Sequence, residues 1–536
     1  MSKLRTYYDT IKYLKPVQIY SRLSGKLKSG GKPPLCEAPT HREIAIAIPE
    51  IDLNEEYVQR FAPEEIPGGK VKLLNRSFAL DFSEDTKAKM SPLEWFNLQY
   101  FEYAVALAYM FCKTGKIEYA EAFERAYRTY LAADLPYSAY VISLHIPNLL
   151  ISLEIFGDAL ETGFVEELNN EIYRQYRYLA SHRETYLLGN HYFENLKTLT
   201  IASYYFKEDA KCAKYMQKLK EQTDEQVLHD GMHFELSPMY HKLILEGLLR
   251  LSAIEGLPDS EWIPDSIQQM INALGMLENG INRTPLFNDS GDNVAKSADA
   301  LFKAAEIHCG ITPQKMLALP DAGYYRIEAD EAVLLIDCGR IGPDYMPGHG
   351  HCDCLSFELF IGGEPVIVNS GTYQYQGEKR KYFRSTKAHN TVVTDGNEQS
   401  QCWGEHRVAK RICGVSAKSD GNHFEGRYTN FRGQTHVRSI SVENKVISVA
   451  DITHNAKSVK SYIRIPCAFE LTDELEVKDR QGNAVCVIEP FGCDAEIIRE
   501  GEKTAYAPEF GKLEKCTCVE FAWLADADAH GYLIKY

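Results

Sequence analysis

Histidines and an aspartate alternate in the segment GHGHCDCLSF. Residues two apart in an extended strand point to the same face, so His349, His351 and Asp353 are expected to share one face. Asn369 follows one hairpin later, and His389 follows a further polar stretch. Imidazoles and an oxygen ligand that arrive from neighbouring strands form sites for zinc-type ions. We therefore expect a divalent metal here; because an HxH pair alone is a weak signal, a solvated loop is the alternative.

A helix start marked by proline lies in DGMHFELSPMYH. Ser237 is the predicted N-cap and Pro238 the first helical residue, which places Tyr240 in the first turn. The positive end of the helix dipole there favours a phenolate, so Tyr240 is a candidate proton-transfer group. His233 and Glu235 alternate just before it and are candidates for the same pocket. The alternative is a tyrosine that packs through its ring and bonds a carbonyl oxygen.

A third polar motif, GNHYFEN, is expected to open another helix. His191 and Glu194 are three residues apart, so the carboxylate is predicted to orient the imidazole and raise its pKa. Asn190 is a candidate donor to a ligand oxygen. The alternative is a helix start in which Asn190 is the N-cap and His191 is half-buried.

The elements that must position these motifs change character along the chain. From about residue 90 to 315 the apolar residues recur with a helical period, which predicts antiparallel helices in a bundle, solenoid or toroid. The following segments alternate with period two, and Gly362-Gly363 predicts a hairpin between two of them. We expect an α+β chain with a lead-in at 1–60, a helical domain at 61–320 and an antiparallel β-sandwich at 321–536.

Composition limits the classes of function. The chain has 536 residues, 45% of them hydrophobic, and a net charge of −16, which disfavours nucleic acid as a partner. We detect no run of about 18 apolar residues and predict no membrane span. The basic N-terminus lacks the apolar core of a signal peptide, so we expect a cytoplasmic protein, or a periplasmic or secreted one if a signal has been removed. The 14 scattered cysteines are read as reduced thiols.

Together, the three motifs resemble the heparinase II/III family of polysaccharide lyases. The resemblance is carried by GNHYFEN, by DGMHFELSPMYH and by the long run from HGHCDCLSF to AHNTVV, with QSQCWG after it. It extends from about residue 90 to 410. It implies an incomplete (α/α) toroid followed by a two-sheet antiparallel sandwich, with the glycan in the cleft between them.

The activity that the resemblance implies is β-elimination at the O4 glycosidic bond to a uronic acid, which leaves a 4,5-unsaturated product. Asn190 and His191 match the pair that neutralises the uronate carboxylate. Tyr240 matches the catalytic tyrosine and His349 the histidine opposite it. Tyr240 or His349 would abstract the C5 proton, and Tyr240 would protonate O4. The implied contacts to substrate come from Glu194, Glu235, Tyr373, Arg384 and Trp403.

The resemblance also implies a divalent metal, zinc first and manganese or calcium next, at His351, Asn369 and His389. This chain carries Asn369 where the family has an aspartate ligand, so a neutral carbonyl replaces a carboxylate. The expected substrate is an anionic polysaccharide. Glycosaminoglycans such as heparan sulfate, chondroitin sulfate or hyaluronan come first, and alginate or a bacterial exopolysaccharide second. The sequence indicates no oligomeric state.

Other interpretations stay open. A glycoside hydrolase on a helical toroid needs two carboxylates beside the bond, for which Glu194 and Glu235 are the candidates. A glycan-binding protein of polysaccharide assembly would keep the cleft without turnover. An oxygenase would use the HxH pair with Asp353 and iron. The ultraviolet absorbance of an unsaturated product separates a lyase from all three.

Overall fold

A computed structural model describes residues 3–25 and 31–536 of the chain. Its helices are α1 (Lys3–Ile11), α2 (Pro16–Gly25), α3 (Pro49–Asp52), α4 (Glu55–Gln59), α5 (Glu84–Lys89), α6 (Pro92–Tyr100), α7 (Glu102–Thr114), α8 (Glu118–Ala132), α9 (Ala139–Phe156), α10 (Thr162–Ser181), α11 (Gly189–Tyr205), α12 (Asp209–Gln226), α13 (Pro238–Ser252), α14 (Ile263–Leu277), α15 (Ala298–Cys309) and α16 (Gly377–Phe383).

The strands lie mostly in the second half of the chain. They are β1 (Lys70–Leu73), β2 (Arg76–Ala79), β3 (Ala318–Leu319), β4 (Tyr324–Ala329), β5 (Ala332–Asp337), β6 (Ser356–Ile361), β7 (Glu364–Ile367), β8 (Val392–Thr394), β9 (Cys402–Trp403), β10 (Arg407–Val408), β11 (Cys413–Ser419), β12 (His423–Thr429), β13 (Thr435–Glu443), β14 (Val446–His454), β15 (Ser458–Pro466), β16 (Glu470–Leu471), β17 (Glu476–Lys478), β18 (Ala484–Phe491), β19 (Asp494–Ile498), β20 (Ala505–Glu509), β21 (Lys512–Leu524) and β22 (His530–Lys535).

The helical half is a toroid in which alternate helices form an inner ring. Helices α7, α9, α11, α13 and α15 pack in that order, and the short α3 lies between α15 and α7. Helix α9 is apolar on nearly all sides and α11 is buried along almost its whole length, as an inner position requires. Helices α8, α10 and α12 each keep a polar face toward solvent and form the outer layer.

Helix α9 and the turn after it, Ala139–Ala159, are by length and composition apolar enough to cross a membrane. In the fold, 67% of its most apolar stretch of 18 residues is buried inside the protein, as in the core helix of a globular domain. Its apolar character is therefore accounted for by its place in the inner ring.

The C-terminal half consists of antiparallel sheets packed face to face. A five-stranded sheet has the order β3-β4-β5-β6-β7, and an eight-stranded sheet has the order β11-β12-β13-β14-β22-β18-β17-β16. A third sheet, β19-β21-β15-β8, completes the layers. Side chains from all three form one apolar core. The predicted hairpin at Gly362-Gly363 joins β6 to β7, and both glycines have positive φ.

The structure confirms the predicted fold class, a helical toroid followed by an antiparallel β-sandwich. Two smaller units precede the toroid. Helices α1 and α2 pack against both halves, and the β1–β2 hairpin bonds to the segment between β20 and β21. Both units lie beside the cleft between the halves, and neither was placed by the sequence patterns.

Candidate active site

A cleft of about 1480 Å³ lies between the toroid and the β half. This volume exceeds the roughly 300–1,000 Å³ of a small-molecule pocket and is large enough for several sugar units. The predicted residues that line it are His191, Tyr240, His349, Tyr373 and Trp403. The cleft therefore collects side chains from all three sequence motifs.

Tyr240 lies in the first turn of α13, as predicted. Ser237 caps this helix by accepting a hydrogen bond from the Tyr240 backbone N–H at 3.2 Å. The Tyr240 ring packs on the His349 ring with centroids 4.0 Å apart, and its hydroxyl lies 3.0 Å from that of Tyr375. Burial, then the neighbouring Tyr375, raises the pKa of Tyr240 well above its usual value. The expected stabilisation of a phenolate by the helix dipole is therefore wrong, because desolvation outweighs it.

His349 is oriented by a buried carboxylate. Its Nδ1 lies 2.9 Å from Oδ2 of Asp289, and its Nε2 lies 3.5 Å from Asn190 Nδ2 and from Glu235 Oε2. A carboxylate on one ring nitrogen fixes the tautomer and leaves the other nitrogen to accept a proton. The geometry thus suits His349 to act as a base through Nε2.

Asp289 is the residue that the sequence analysis missed. Its side chain is fully buried, and besides His349 it bonds His351 Nε2 at 2.8 Å and the guanidinium of Arg380. Burial opposes the charge, but Arg380 and the two histidines hold the pKa of Asp289 well below its usual value. Asp289 is therefore ionised. One sequence feature could have pointed to Asp289: it lies in the polar segment NDSGD, where the helical period of the apolar residues gives way to the alternation of strands.

Asn190 and Glu235 form a buried pair behind His349. The Asn190 backbone N–H donates to Glu235 at 2.8 Å, and its side-chain amide donates to both carboxylate oxygens at 2.9 and 3.1 Å. Asn190 Oδ1 has no hydrogen-bond partner among the described residues. Since α11 begins at Gly189 after Leu188, Asn190 is not the N-cap. A ligand that takes a hydrogen bond from this amide must displace one of the bonds to Glu235.

His191 faces the cleft, but its partner differs from the one predicted. Its Nδ1 lies 3.3 Å from Glu184 Oε2, and its ring packs on Tyr140 with centroids 4.2 Å apart. Burial lowers the pKa of His191, but the hydrogen bond and charge of Glu184 outweigh that effect and raise it overall. The expected orientation by Glu194 is wrong because the Glu194 carboxylate pairs with Lys197 at 2.5 Å instead.

Three predicted substrate contacts lie away from the cleft surface. Glu194 lines a smaller pocket of about 130 Å³ that adjoins the cleft and shares Tyr240 and Tyr375 with it. Glu235 is 1% exposed beneath Asn190, and Arg384 is buried with its guanidinium on the carbonyl oxygens of Gly350 and Glu405. These side chains hold other parts of the site in place and do not reach the cleft.

Two other predicted contacts, Tyr373 and Trp403, do line the cleft. Trp403 packs edge-on against Tyr7 of α1, with ring centroids 5.0 Å apart, and donates from Nε1 to Thr10 Oγ1 at 2.9 Å. Lys379 lies over the Tyr373 ring, 4.1 Å from its centroid. Both rings are thus held in place along one wall of the cleft.

The predicted metal residues also come together. One potential ligand atom from each of His351, Asp353 and His389 lies within 4.8 Å of the others, and all three side chains are buried. His351 Nδ1 and His389 Nε2 find no hydrogen-bond partner in the described parts of the chain. Asn369 lies beside them, with its Oδ1 2.8 Å from His389 Nδ1.

The donor set suits a divalent cation. Burial lowers the pKa of His351 to about 4 and that of His389 as well, so both imidazoles are neutral, which is the ligating form. Burial also raises the pKa of Asp353 to about 7. Outer bonds from His351 to Asp289 and from His389 to Asn369 are the kind that orient ligating histidines.

Unusual backbone conformations occur beside each motif. Leu188, Leu236 and Leu355 have φ of 64°, 60° and 63°, a region that branched side chains rarely occupy. They immediately flank the start of α11, the N-cap of α13 and the His351–Asp353 segment. Strain of this kind concentrates at binding and catalytic sites, where the surrounding structure maintains it.

Sequence comparison gives matches over most of the chain. The family model for the heparinase II/III N-terminus matches residues 88–308, and the model for the heparinase II/III-like C-terminal region matches residues 311–521. Two curated relatives are similar, both named heparin-sulfate lyase. That of Pedobacter heparinus is 26% identical over 280 residues, which are 46% of this chain and 41% of that protein. That of Bacteroides stercoris is 24% identical over 250 residues, 40% of this chain and 36% of that protein.

Structure comparison supports the same architecture. A crystal structure of heparinase III aligns with a TM-score of 0.69 at 15% identity and covers all of this chain and 93% of that one. A mutant of the heparan sulfate lyase HepC from Pedobacter heparinus aligns with a TM-score of 0.58 at 18% identity, covering 97% and 87%. At sequence identities of 15% and 18%, this similarity shows that the folds are alike and nothing more. The chain's sequence match spans less than half the length of the two curated relatives.

Proposed function

The chain belongs to the heparinase II/III family, and from that membership we propose that it is a polysaccharide lyase, a carbon–oxygen lyase that cleaves the O4 bond to a uronic acid by β-elimination. The observation that carries the proposal is the contact between Tyr240 and His349 in the cleft, with Asp289 behind the histidine. This arrangement provides an acid and a base next to each other. Both are needed when a proton leaves C5 and O4 must be protonated.

The first requirement of the reaction is to stabilise negative charge on the uronate. Loss of the C5 proton spreads charge onto the carboxylate, so donors must already point at it. His191 is on the cleft wall with a raised pKa, and the Asn190 amide lies 3.5 Å from His349 Nε2. We assign these two side chains to the carboxylate, with one Asn190–Glu235 hydrogen bond exchanged for a bond to the substrate.

The second requirement is proton transfer in the correct order. His349 Nε2 takes the C5 proton, the electron pair of that bond forms the C4–C5 double bond, and the C4–O4 bond breaks toward oxygen. Tyr240, which burial keeps protonated, donates its hydroxyl proton to O4. After the product leaves, exchange with water removes the proton from His349 and returns one to the tyrosinate, which restores the site.

A divalent ion, zinc first and manganese or calcium next, fits the buried histidine pair. His351 Nδ1 and His389 Nε2 would hold it with an oxygen from Asp353 or Asn369. When bound, such an ion supplies positive charge that braces the segments carrying these ligands. His351 also bonds Asp289, so its position bears directly on the carboxylate that orients His349.

We propose a glycosaminoglycan as the substrate, with heparan sulfate, chondroitin sulfate and hyaluronan as the first choices and alginate or a bacterial exopolysaccharide next. The names of the similar lyases support this order. A hydrolase based on Glu194 and Glu235 is less well supported, because neither carboxylate lines the cleft and a hydrolase needs both beside the bond.

The experiment is a panel of these polysaccharides incubated with the purified protein. A lyase produces a conjugated double bond, which is read by ultraviolet absorbance, together with one new reducing end per cleavage. New reducing ends without absorbance would establish a hydrolase. Saturable binding without either product would establish a glycan-binding protein, and both outcomes would overturn the proposal.

A further inference from the structure

Helices α1 and α2 pack onto the protein through polar side chains. Gln18 is 1% exposed and donates from Nε2 to the carbonyl oxygens of Leu187 and Tyr345, at 3.1 and 3.3 Å. Ser21 meets Thr185 at 2.8 Å, oxygen to oxygen. The side of α2 that faces the body is therefore polar, the reverse of an ordinary surface helix. Helix α1 meets the body through Thr10 and the ring of Tyr7, which both contact Trp403.

The opposite side of both helices is apolar and exposed. Leu4 and Tyr8 are 81% and 68% exposed in α1, and Tyr20 and Leu23 are 71% and 65% exposed in α2. Spacings of three and four residues place each pair on one helix face. None of these four side chains lines the cleft. We call the two pairs together the apolar face; single exposed apolar residues are ordinary, but large ones paired on one helix face indicate a contact site.

The charge around the apolar face is opposite to that of the whole chain. Residues 3–25 carry five basic side chains and one acidic side chain, whereas the complete sequence has a net charge of −16. Exposed tyrosines and leucines on a basic amphipathic helix are typical of segments that lie in the interfacial layer of a membrane. A symmetric contact between two copies would place two basic segments against each other, which disfavours that partner.

We propose that the apolar face docks on an anionic lipid surface, with α1 and α2 lying in the interfacial plane. Tyr8, Tyr20, Leu4 and Leu23 would enter the boundary between headgroups and acyl chains. The exposed Lys3, Arg5 and Lys12 would meet lipid phosphates, whereas Lys15 pairs with Glu225 of the body and Arg22 lines the cleft. Gln18 and Ser21 keep α2 attached to the body during docking, and the bond between Trp403 and Thr10 keeps α1 attached. This places the cleft, which α1 also lines, next to the membrane.

The test uses the full chain and sedimentation with vesicles. One set contains equimolar phosphatidylglycerol and phosphatidylcholine, and the other contains phosphatidylcholine alone. Binding should require the anionic lipid and weaken as salt increases, with each basic side chain contributing about fivefold to the partition coefficient. Absence of binding to the anionic vesicles would overturn the proposal.

A variant with Leu4→Gln, Tyr8→Gln, Tyr20→Gln and Leu23→Gln should bind the anionic vesicles about tenfold or more weakly. The matched control changes exposed apolar residues elsewhere, Ile117→Gln, Ile307→Gln and Leu524→Gln, and should bind as the wild type does. Equal loss in both variants would overturn the proposal. Light scattering that shows a dimer, abolished only by the first variant, would assign the apolar face to a second copy of the chain.

Discussion

The hydroxyl of Tyr240 is the atom on which the proposed reaction depends most. Tyr240→Phe keeps the ring on His349 and removes the proton that O4 must receive. We expect the rate to fall by about 10²–10⁴ while the thermal midpoint stays nearly unchanged. Initial rate and thermal unfolding are measured on the same preparation.

Tyr205→Phe is the matched control for that variant. Tyr205 is buried at the far end of α11 from Asn190 and His191, its hydroxyl donates to Asn169 at 2.7 Å, and it does not line the cleft. It should lose about 1 kcal/mol of stability and keep its activity. A folded Tyr240→Phe protein that retains more than about a tenth of the wild-type rate would move the acid role elsewhere.

His191 makes the site sensitive to pH through Glu184. Glu184→Gln removes the hydrogen bond and the charge that raise the pKa of His191, so its charged form is lost at a lower pH. The alkaline limit of kcat/KM should move to lower pH, and KM for a carboxylated substrate should rise. Asp526→Asn, which removes the carboxylate beside His530 in the β half, is the control and should leave the profile unchanged.

The same pair makes a prediction about stability. Because the folded pKa of His191 is raised, its pairing with Glu184 stabilises the fold fully below the unfolded value of about 6.5. That contribution is lost as the pH rises through the folded pKa. Glu184→Gln should therefore lower the thermal midpoint in acid and converge on the wild type at alkaline pH; a constant difference would contradict the pairing.

Sequence patterns identified the side chains on the cleft wall better than those behind it. Tyr240 and His349 stand in short motifs whose chemistry is local. Asp289 orients His349 from 60 residues away, through a fold contact that no spacing reveals. Glu194 was misassigned for a related reason: helical spacing allowed it to meet either His191 or Lys197, and tertiary packing decided for the lysine.

At the level of elements, the start of α11 depends on one glycine. Gly189 has φ +57°, and a Cβ at this position would lie 2.5 Å from Glu235 Oε1. Gly189→Ala should displace the Asn190–Glu235 pair and lower both activity and stability, the latter by about 1–3 kcal/mol. Unfolding free energies and rates provide the measurement.

The control for Gly189→Ala is Gly163→Ala, in the first turn of α10. Its φ is ordinary, and the nearest atom to a new Cβ would be Glu161 Oε1 at 3.7 Å. Alanine is the better helix former, so this variant should be neutral or stabilised by up to about 1 kcal/mol. Equal losses in the two variants would show that the conformation at Gly189 is not the cause.

A second prediction at this level concerns the ion that would tie β6, β7 and the His389 segment together. Asn369→Asp adds a carboxylate 2.8 Å from the His389 ring, where it can bind the metal or strengthen the histidine as a ligand. We expect about tenfold or tighter metal binding and a larger loss of thermal stability on chelation. Elemental analysis and melting curves with and without chelator measure both.

Asn444→Asp, in the exposed turn between β13 and β14, adds the same charge away from the site and should change neither quantity. No bound divalent metal in any of the three proteins, with melting unaffected by chelator, would contradict the metal assignment.

The order of helices and strands was predictable because period and length distinguish them. Helices α1 and α2 were not predictable from the sequence, because large apolar side chains on both helices point to solvent and so do not mark the side that packs on the protein.

At the scale of the whole molecule, chain segments cross the cleft on two sides. Gln18 bonds both halves on one side, and Asn75 in the β1–β2 turn donates to Glu509 and Phe510 on the other, at 2.9 and 3.1 Å. Leu74 of that turn packs with Tyr240. A long polymer has little room to pass through, so we expect cleavage near chain ends.

The measurement compares viscosity with double-bond formation on whichever polymer the substrate panel identifies. Cleavage near chain ends produces many double bonds while the viscosity falls slowly, and short products appear from the first minutes. A rapid fall in viscosity at few double bonds would mean that the crossing segments open to admit the polymer interior. Lyase activity itself would stand under either outcome.

The attachment of α1 to the β half also has a consequence for biosynthesis. The hydrogen bond between Thr10 and Trp403 joins residues 393 positions apart. At about 5–20 residues per second, the ribosome needs about 20–80 s between making one and making the other. The toroid can fold during that interval, but α1 cannot complete its docking, and Tyr7 lacks the ring of Trp403 that it contacts in the fold until the β half has emerged.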